Sequence, residues 1–582
     1  MRGPFLRKGL SERRLCATGR GKRKMGAGGE RKMGAERKCR WGREGKTVRV
    51  ALFVQKNGYF CSMYRVFREI VLTAALAVAA SAAAMAQAGA GAANGADNVA
   101  AQRADNVAAN RAAWQQSITQ YIESQISNGP LKGAVVGVCA MEMADQVGHD
   151  GNTAPKGGNN TLVAYNASTR MLPASNMKLV TTGAALHAFG PEYRFNTGIG
   201  YSGTIQKDGT LDGDVYIIGG GDPTIGAPDS TAYKADALFW KWKTLLANAG
   251  IKRINGNIIG DGSAWEGGLE HPGWEFADTW TYYGTGTSAL CFYENIIDLE
   301  VSAGAAEGDP VNMRQAYPQT PWLTIENQAV TGPAKSGNSL YMQTSAGSRN
   351  ATLIGTYALD RRPKKEQASN KYGALTCAHE FYENLKATGW EVSGTYSDKP
   401  DGKEVRTIGQ TQSPALAQIC RKTNYDSDNF YAEALLRAMG EAASGIAVYD
   451  SCLVAINEVL EDIVPGKGNG IVQKDGSGLS RANSVTPEWM ATYLTAMAGN
   501  KAFVESLPHP GEGTLDVLRN LTPGKFRIKS GSMGGTLCYS GYVLQEDGKP
   551  IRSFAIFTNN SAARPSGVRA ALEGLIQLIG KN

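Results

Sequence analysis

The sequence predicts an α+β fold in which an antiparallel sheet flanked by helices is interrupted by a large β-rich insertion. One observation behind this prediction is that helices and a strand follow residue 110, while three strands and a closing helix end the chain. The other is a change of sequence pattern at residues 198–404, where short β-rich runs are separated by Gly and Asp. We therefore expect residues 113–197 and 405–582 to form one domain around the insertion.

The elements before the insertion follow from the spacing of apolar residues. In residues 110–128, Ile118 and Ile122 fall on one face of an amphipathic helix, which ends before Gly129. Residues 133–143, GAVVGVCAMEM, are apolar and short, as in a buried strand.

A second helix is predicted to begin near Ser175. Pro173 breaks the chain just before this serine, and helical spacing runs from Leu179 to a stop at Gly190. Ser175 is therefore expected at the first turn of a helix.

The C-terminal part supplies the complementary elements. A helix is predicted within residues 423–440, entered after Asp426 and Ser427 and ended at Gly440. Short turns separate the remaining elements, which are strands at 525–532, 536–545 and 553–560 and an amphipathic helix at 566–580.

The first 112 residues are predicted to contain an export signal and a spacer. Residues 63–86 combine a short basic start, an apolar stretch and Ala84-Met85-Ala86, which is the pattern of a cleaved secretory signal. Residues 1–62 precede that signal. We interpret them as the result of a start codon assigned too far upstream, with Met63 as the true initiator. Residues 87–112 are rich in Ala, Gly and Asn and are expected to form a spacer. The sequence thus predicts an exported, periplasmic protein with at most peripheral membrane association.

The charge distribution argues against a nucleic-acid partner. The 582-residue chain has a net charge of +8, but residues 1–62 carry 18 Lys and Arg against 4 Glu. Residues 87–582 carry 41 basic and 48 acidic residues, a net charge of −7. A mildly acidic protein offers no electrostatic basis for tight binding to nucleic acid. The sequence leaves the oligomeric state open.

Cysteine and histidine usage does not indicate a metal site. Six of the nine cysteines follow the predicted cleavage site, an even number that permits disulfides in an oxidising compartment, and buried free thiols are an equal alternative. No CxxC spacing occurs and the chain has five histidines, so we do not expect a zinc site. The chemistry of the motifs described below implies no metal or organic cofactor.

The first of three motifs with chemical meaning is Ser175-Asn176-Met177-Lys178. Residues i and i+3 share a face of a helix, so the Lys178 amine can reach the Ser175 hydroxyl. A lysine whose pKa is lowered by burial can serve as the base that a serine nucleophile needs. The start of the helix also offers N–H groups to an oxyanion.

The second and third motifs are Ser427-Asp428-Asn429 and Lys529-Ser530-Gly531. Ser427 can relay a proton to a leaving amine, and Asn429 can hold a substrate amide. On the strand, Lys529 supplies positive charge and Ser530 a hydroxyl for a substrate carboxylate. Gly531 lets the backbone come close, and the N–H groups of Ser532 and Ser175 are candidates for an oxyanion hole.

Together, on a helix, a helix entry and a strand, these motifs are typical of β-lactamases and penicillin-binding proteins. Lys178 and Ser427 lie 249 residues apart, far more than in a compact β-lactamase. This gap, with GGGDPTI (219–225) and DGSGLSRANSVTP (475–487), resembles D-alanyl-D-alanine carboxypeptidase/endopeptidases of the penicillin-binding protein 4 type, class C low-molecular-mass penicillin-binding proteins. The resemblance covers roughly residues 110–582.

The resemblance implies a β-lactamase/penicillin-binding transpeptidase-like fold with nested insertions in a serine acyl-transferase domain. It also implies cleavage of peptidoglycan stem peptides and cross-links at D-Ala through an acyl-enzyme, with β-lactam antibiotics as inhibitors. Ser175 is then the nucleophile and Lys178 the base, supported by Ser427, Asn429 and Lys529. One departure from the family is Ser530, where Thr is usual; the hydroxyl is kept.

Two residues of the 475–487 segment have open roles. Arg481 either faces the cleft and meets an acidic group of the substrate or forms a salt bridge within its loop. Asp475 either shapes that loop or contacts Lys529.

Two other functions remain open at this level. A serine β-lactamase on the same fold would differ by rapid turnover of penicillin. A non-catalytic peptidoglycan-binding or sensor protein would behave alike with and without the Ser175 hydroxyl.

Overall fold

The computed structural model describes residues 105–106, 108–143, 161–229 and 231–581. The predicted extension 1–62 and signal 63–86 lie outside the described residues. The chain divides into two compact units. In the unit Arg7–Trp114, the residues that the structure describes are helical. Residues 105–106 and 108–112 thus depart from the predicted spacer, because alanine is the strongest helix former. All further description concerns the unit that contains Gln115–Asn582.

The helices of this unit lie on both sides of the insertion and within it. In chain order they are α1 (residues 115–127), α2 (Met177–Phe189), α3 (Ala235–Asn248), α4 (Gly373–Ala387), α5 (Leu416–Tyr425), α6 (Asn429–Ser444), α7 (Tyr449–Ile463), α8 (Pro487–Met497), α9 (Lys501–Ser506) and α10 (Pro565–Ile579).

Most of the strands are short and belong to the insertion. In chain order they are β1 (Val135–Glu142), β2 (Thr161–Tyr165), β3 (Asn196–Tyr201), β4 (Thr204–Ile205), β5 (Thr210–Asp212), β6 (Val215–Ile218), β7 (Arg253–Asn255), β8 (Ile258–Asp261), β9 (Ile296–Ser302), β10 (Asn312–Tyr317), β11 (Thr324–Asn327), β12 (Val330–Gly332), β13 (Tyr341–Gln343), β14 (Asn350–Ile354), β15 (Thr356–Ala358), β16 (Lys364–Ser369), β17 (Glu391–Val392), β18 (Tyr396–Ser397), β19 (Arg406–Gln412), β20 (Ile471–Val472), β21 (Ser484–Val485), β22 (Phe526–Met533), β23 (Thr536–Leu544) and β24 (Pro550–Asn559).

The central sheet has the order β2-β1-β24-β23-β22, and all its neighbouring strands are antiparallel. The first long strand therefore lies beside the last one, which confirms the predicted sheet built from both chain ends. The terminal helices also meet, since the Tyr121 hydroxyl of α1 donates a 3.1 Å hydrogen bond to the carbonyl of Ala571 in α10. One apolar core joins this sheet to α2 and α5–α9.

Helix α6 runs four residues beyond the predicted end at Gly440. A Cβ at that position would lie 2.4 Å from the Cys452 sulfur, so the glycine permits close packing of α6 on α7. The helix ends instead at Ser444, before Gly445 with φ of 74°. The start also differs slightly, because Asp428 caps the helix by accepting a hydrogen bond from the Tyr431 N–H.

The insertion leaves the domain at β3 and returns at β19, and these strands are antiparallel neighbours. It therefore spans about residues 196–412, slightly more than the predicted 198–404. One of its cores packs α3 and α4 on the sheet β18-β8-β6-β3-β19, and a separate core lies within β9–β16. The two helices were not predicted, although Leu238, Trp242 and Leu246 show helical spacing on α3.

The six cysteines that follow the predicted signal are buried free thiols, which decides between the two alternatives. Among the described residues, no single helix is long and apolar enough to cross a membrane. Helices α6 and α7 reach that length and apolar character only when they are taken together, and the angle between them is 82°.

Candidate active site

Ser175 lies where the structure turns into α2. Residues Ala174–Asn176 form one 3-10 turn, and α2 begins directly after it at Met177. The prediction that Ser175 lies at the first turn of a helix is confirmed. The Ser175 side chain faces a cavity of about 560 Å³, which Ser427, Asn429 and Ser532 also line.

Lys178 is fully buried beneath Ser175. Its Nζ lies 2.8 Å from Ser175 Oγ, 2.6 Å from Asn429 Oδ1 and 2.8 Å from the carbonyl oxygen of Ser477. The first two motifs of the sequence thus meet at the Lys178 amine. Lys178 and Asn429 are 251 residues apart along the chain.

These contacts orient the lysine amine. An amide or carbonyl oxygen only accepts hydrogen bonds, so two N–H groups of Lys178 must point to Asn429 and Ser477. In the neutral amine, the remaining direction is a lone pair aimed at Ser175 Oγ. The Asn429 amide cannot be reversed without loss, because its Nδ2 donates a 2.9 Å hydrogen bond to the Tyr283 carbonyl.

Burial lowers the pKa of Lys178 from its usual value to about 8, against the opposing charges of Asp428, Asp475 and Glu433. A lysine with this pKa is neutral in about one tenth of molecules at pH 7. The amine is therefore able to accept a proton from Ser175 near neutral pH.

A buried loop presents the Ser477 carbonyl to Lys178. Glu433 of α6 accepts hydrogen bonds from the N–H groups of Gly476 at 3.1 Å and Ser477 at 2.8 Å. Burial, reinforced by the charge of Asp475, raises the pKa of Glu433 to about 7.

Asp475 anchors the same loop, and the hydrogen bonds of its carboxylate go to that loop and to the insertion rather than to Lys529, which favours the first of its two predicted roles. Its carboxylate accepts hydrogen bonds from Gly478 N at 2.8 Å and Ser480 N at 2.6 Å. It also accepts one of 2.9 Å from the indole N–H of Trp274, a residue of the insertion. The insertion therefore takes part in placing the Ser477 carbonyl.

Lys529 is the second fully buried lysine of the site. Its Nζ donates hydrogen bonds to Ser427 Oγ at 2.8 Å and to the Ser530 carbonyl at 2.6 Å. Burial, with the nearby charge of Lys178, holds the pKa of Lys529 well below its usual value. Ser427 has φ of 61°, an uncommon conformation for a residue with a side chain, which directs its hydroxyl toward Lys529.

The strand motif packs against the Ser175 turn. A Cβ on Gly531 would lie 2.6 Å from the Pro173 carbonyl and 2.8 Å from Asn176 Nδ2, so glycine is required for this approach. The hydroxyl of Ser530 donates a 2.8 Å hydrogen bond to Thr514 Oγ1, and Thr514 lines the cavity. The exposed Ser532 follows on the same strand.

Arg481 lines the cavity and also forms an ion pair with Glu275 of the insertion. Arg481 therefore faces the cavity, as one alternative predicted, but its salt bridge is not the one predicted within its own loop. The partner belongs to the insertion and not to the loop of Arg481.

A network of charges that the sequence did not predict lies under the Ser427 turn. Lys422 Nζ is 2.6 Å from an oxygen of Asp229, 3.7 Å from Glu294 and 3.9 Å from Asp428. Burial, with the charge of Asp428, raises the pKa of Glu294 to about 8, and Glu294 lines the cavity. The network ties the insertion to the start of α6.

Sequence analysis missed the residues that reach the site from a distance, above all Glu433, Trp274 and Tyr283. Motif spacing carries no signal for them, because their contacts depend on how the insertion folds back. Across the described ranges, no three His, Cys, Asp or Glu residues are grouped so as to hold a metal ion.

Comparison with known proteins agrees with this arrangement. The model of the D-Ala-D-Ala carboxypeptidase 3 (S13) family matches residues 120–578. The chain is 28% identical over 473 residues to the D-alanyl-D-alanine carboxypeptidase of Actinomadura sp. (strain R39), covering 78% of this chain and 82% of that protein.

Solved structures share the fold. Penicillin binding protein 4 (dacB) of Haemophilus influenzae superposes with a TM-score of 0.67 at 22% identity, covering 80% of this chain and 99% of that one. The same protein complexed with a novel β-lactam superposes with a TM-score of 0.60 at 23% identity, covering 80% and 97%.

Proposed function

The chain belongs to the D-Ala-D-Ala carboxypeptidase 3 (S13) family, and from this membership we propose that Ser175 is its acylated nucleophile and Lys178 the base. The observation that carries the proposal is the 2.8 Å contact between Ser175 Oγ and Lys178 Nζ, with the amine oriented by Asn429 and Ser477. A serine-type D-Ala-D-Ala carboxypeptidase needs such a pair, because a serine hydroxyl is a weak nucleophile without a base.

In the acylation step, Ser175 Oγ forms a bond to the carbonyl carbon of the penultimate D-Ala while its proton passes to Lys178. The N–H groups of Ser175 and Ser532 hold the resulting oxyanion. The C–N bond then breaks, and the proton that Lys178 took from Ser175 passes through the hydroxyl of Ser427 to the leaving amine, which returns Lys178 to its neutral form. Ser427 lies between Lys529 and the cavity.

In the deacylation step, a water oxygen bonds to the same carbonyl carbon and the bond to Ser175 Oγ breaks. The neutral Lys178 takes one proton of this water and passes it to Ser175 Oγ as that oxygen leaves. Before acylation, the hydroxyl of Ser530 binds the terminal carboxylate, which later leaves with the amine, and the buried Lys529 amine supplies positive charge nearby. That negative charge favours the ammonium form of Lys529, which burial alone disfavours.

The substrates proposed are stem peptides of peptidoglycan. When the leaving amine is free D-Ala, the reaction is a carboxypeptidase reaction. When the amine belongs to a diaminopimelate of a neighbouring stem, the same chemistry opens a cross-link. Arg481 and Asn429, which both line the cavity, are proposed to hold the acidic and amide groups of the peptide.

Penicillin is proposed to acylate Ser175 in the same way. A β-lactam amide opens on attack, but its amine stays attached to the acyl group, so the leaving group cannot diffuse away. The penicillin binding protein 4 of Haemophilus influenzae, which shares this fold, has been solved with a β-lactam.

The test is an intact-mass time course of the purified protein with benzylpenicillin, together with an assay of D-Ala release from a pentapeptide ending in D-Ala-D-Ala. We expect one adduct and released D-Ala, both lost in Ser175→Ala and kept in Ser124→Ala, whose serine is exposed on α1. Intact penicillin and intact pentapeptide with the unaltered protein overturn the proposal. Hydrolysed penicillin without an adduct indicates a β-lactamase instead.

We also propose export to the periplasm. The support is the sequence of residues 63–86, with its basic start, apolar stretch and Ala84-Met85-Ala86. N-terminal sequencing of protein from a periplasmic fraction is expected to begin at Gln87. A cytoplasmic protein that retains residues 63–86 overturns this part of the proposal.

A further inference from the structure

A second cavity of about 220 Å³ lies beside the catalytic cavity. It is bounded by residues 280–283 on one side and by strands β13 and β16 of the insertion on the other. Tyr282, Tyr283 and Gln367 line both cavities, so the two spaces are adjacent.

Aromatic residues line this second cavity, and some of them are exposed. The side chains of Tyr282 and Tyr341 are 54% and 51% exposed. Trp280 is half-buried, and its ring packs edge-to-face with that of Phe276, which is 68% exposed, at 5.0 Å between centroids. A group of exposed aromatic residues next to a cleft is a mark of a binding surface.

The side of the cavity formed by β13 and β16 also supplies apolar and polar groups. Leu340 and Met342 supply the apolar part, and Glu366 and Gln367 supply the polar part. Asn338 donates a 2.7 Å hydrogen bond to Glu366, and the Gln367 amide donates one of 3.2 Å to Asp298. Their side chains are therefore held in place at the edge of the cavity.

We propose that this second cavity binds an N-acetylated amino sugar of the glycan strand that carries the stem peptide. The proposal rests on the proposed function, since it concerns the far end of the same substrate. A pyranose ring has one face of C–H groups, which matches an aromatic face, and a rim of hydroxyl and amide groups, which matches Tyr hydroxyls and the Gln367 amide.

The length of the stem peptide supports this position. Four residues separate the scissile bond from the sugar, and four extended residues span at most about 14 Å. With the scissile carbonyl at Ser175, the first sugar lies within about that distance of the serine. The second cavity lies next to the catalytic cavity and shares Tyr282, Tyr283 and Gln367 with it.

The test compares two substrates, a pentapeptide ending in D-Ala-D-Ala and the same peptide attached to its disaccharide. We expect the full-length protein to have roughly fivefold higher kcat/KM for the disaccharide-peptide, through a lower KM. Tyr341→Ala is expected to bring this ratio to about one. Trp240→Ala is the control, since Trp240 is 64% exposed on α3 and lines neither cavity, and it is expected to keep the ratio.

A second measurement is independent of catalysis. The free disaccharide is titrated into the Ser175→Ala protein, with and without Tyr341→Ala, and binding is followed by NMR. If the disaccharide binds and Tyr341→Ala abolishes this binding, the sugar site is supported even when no peptide is cleaved. The absence of cleavage would then contradict the proposed function alone. A ratio of one between the two kcat/KM values in the unaltered protein overturns the sugar site. So does a preference for a cross-linked peptide without sugar, if Tyr341→Ala removes that preference.

Discussion

The Tyr283 carbonyl, which belongs to the insertion, accepts a 2.9 Å hydrogen bond from the side-chain amide of Asn429. This bond turns Asn429 Oδ1 toward Lys178, where it lies 2.6 Å from Nζ. Because the amide is held in this orientation, it accepts from the lysine and leaves the lone pair of the neutral amine for Ser175. The insertion thus influences the proposed base without touching it.

The pH dependence of acylation follows from the pKa of Lys178. Burial lowers it to about 8, and the base acts in its neutral form, so the rate of acylation by benzylpenicillin is expected to rise roughly tenfold between pH 7 and pH 9. Asn429→Asp places a carboxylate beside the amine, which favours the ammonium form and moves the midpoint to higher pH. Asn429→Ala removes the acceptor without adding charge and serves as the control. An unchanged midpoint in Asn429→Asp contradicts Lys178 as the titrating base.

Trp274→Phe tests the anchoring of the loop that carries Ser477. The change removes one donor to the buried carboxylate of Asp475, so we expect a loss of about 1–3 kcal/mol in the free energy of unfolding and slower acylation. Trp322→Phe is the matched control, because the buried indole N–H of Trp322 has no partner in the described part of the chain. Thermal unfolding and acylation rates are measured for both. Equal effects of the two changes would show that the Trp274–Asp475 hydrogen bond has no role of its own.

Ser427→Gly tests the hydroxyl that links Lys529 to the cavity. The backbone of Ser427 has φ of 61°, which glycine adopts at lower cost, but the change also removes one of the two acceptors of the buried Lys529 amine, so the free energy of unfolding is expected to fall by about 1 kcal/mol. Loss of the hydroxyl removes the proposed proton relay, and D-Ala release is expected to fall at least tenfold. Asn560→Gly, at φ of 59° outside the site, is expected to add stability without loss of activity. Chemical denaturation and the release assay decide the matter, and full activity in Ser427→Gly would exclude the relay.

Gly531→Ala tests the close approach of β22 to the Ser175 turn. The added methyl group would lie 2.6 Å from the Pro173 carbonyl, so either the strand or the turn must move, and acylation is expected to slow by roughly a hundredfold. Gly468→Ala is the control, since a Cβ there meets no atom within 4 Å. Acylation is followed by intact mass, with thermal unfolding to detect folding defects. A normal rate in Gly531→Ala would show that the turn does not depend on this contact.

The amino-acid sequence by itself determined the antiparallel sheet, the helices at both chain ends and the three motifs. Apolar periodicity and turn residues are local signals, and Ser175 and Lys178 are close enough along one helix to be paired by spacing alone. Local signals also misled at Gly440, where a glycine that permits helix packing resembles one that ends a helix.

Only the tertiary structure decided which distant groups complete the site. Glu433 and Asp475 hold the loop of Ser477, and Trp274 and Tyr283 reach these elements from the insertion. Such contacts join residues more than 40 positions apart, and in two cases more than 140, and depend on how two parts of the chain pack. The pKa of Lys178 has the same origin, because the burial that lowers it exists only once the sheet, α6 and the loop have closed around the amine.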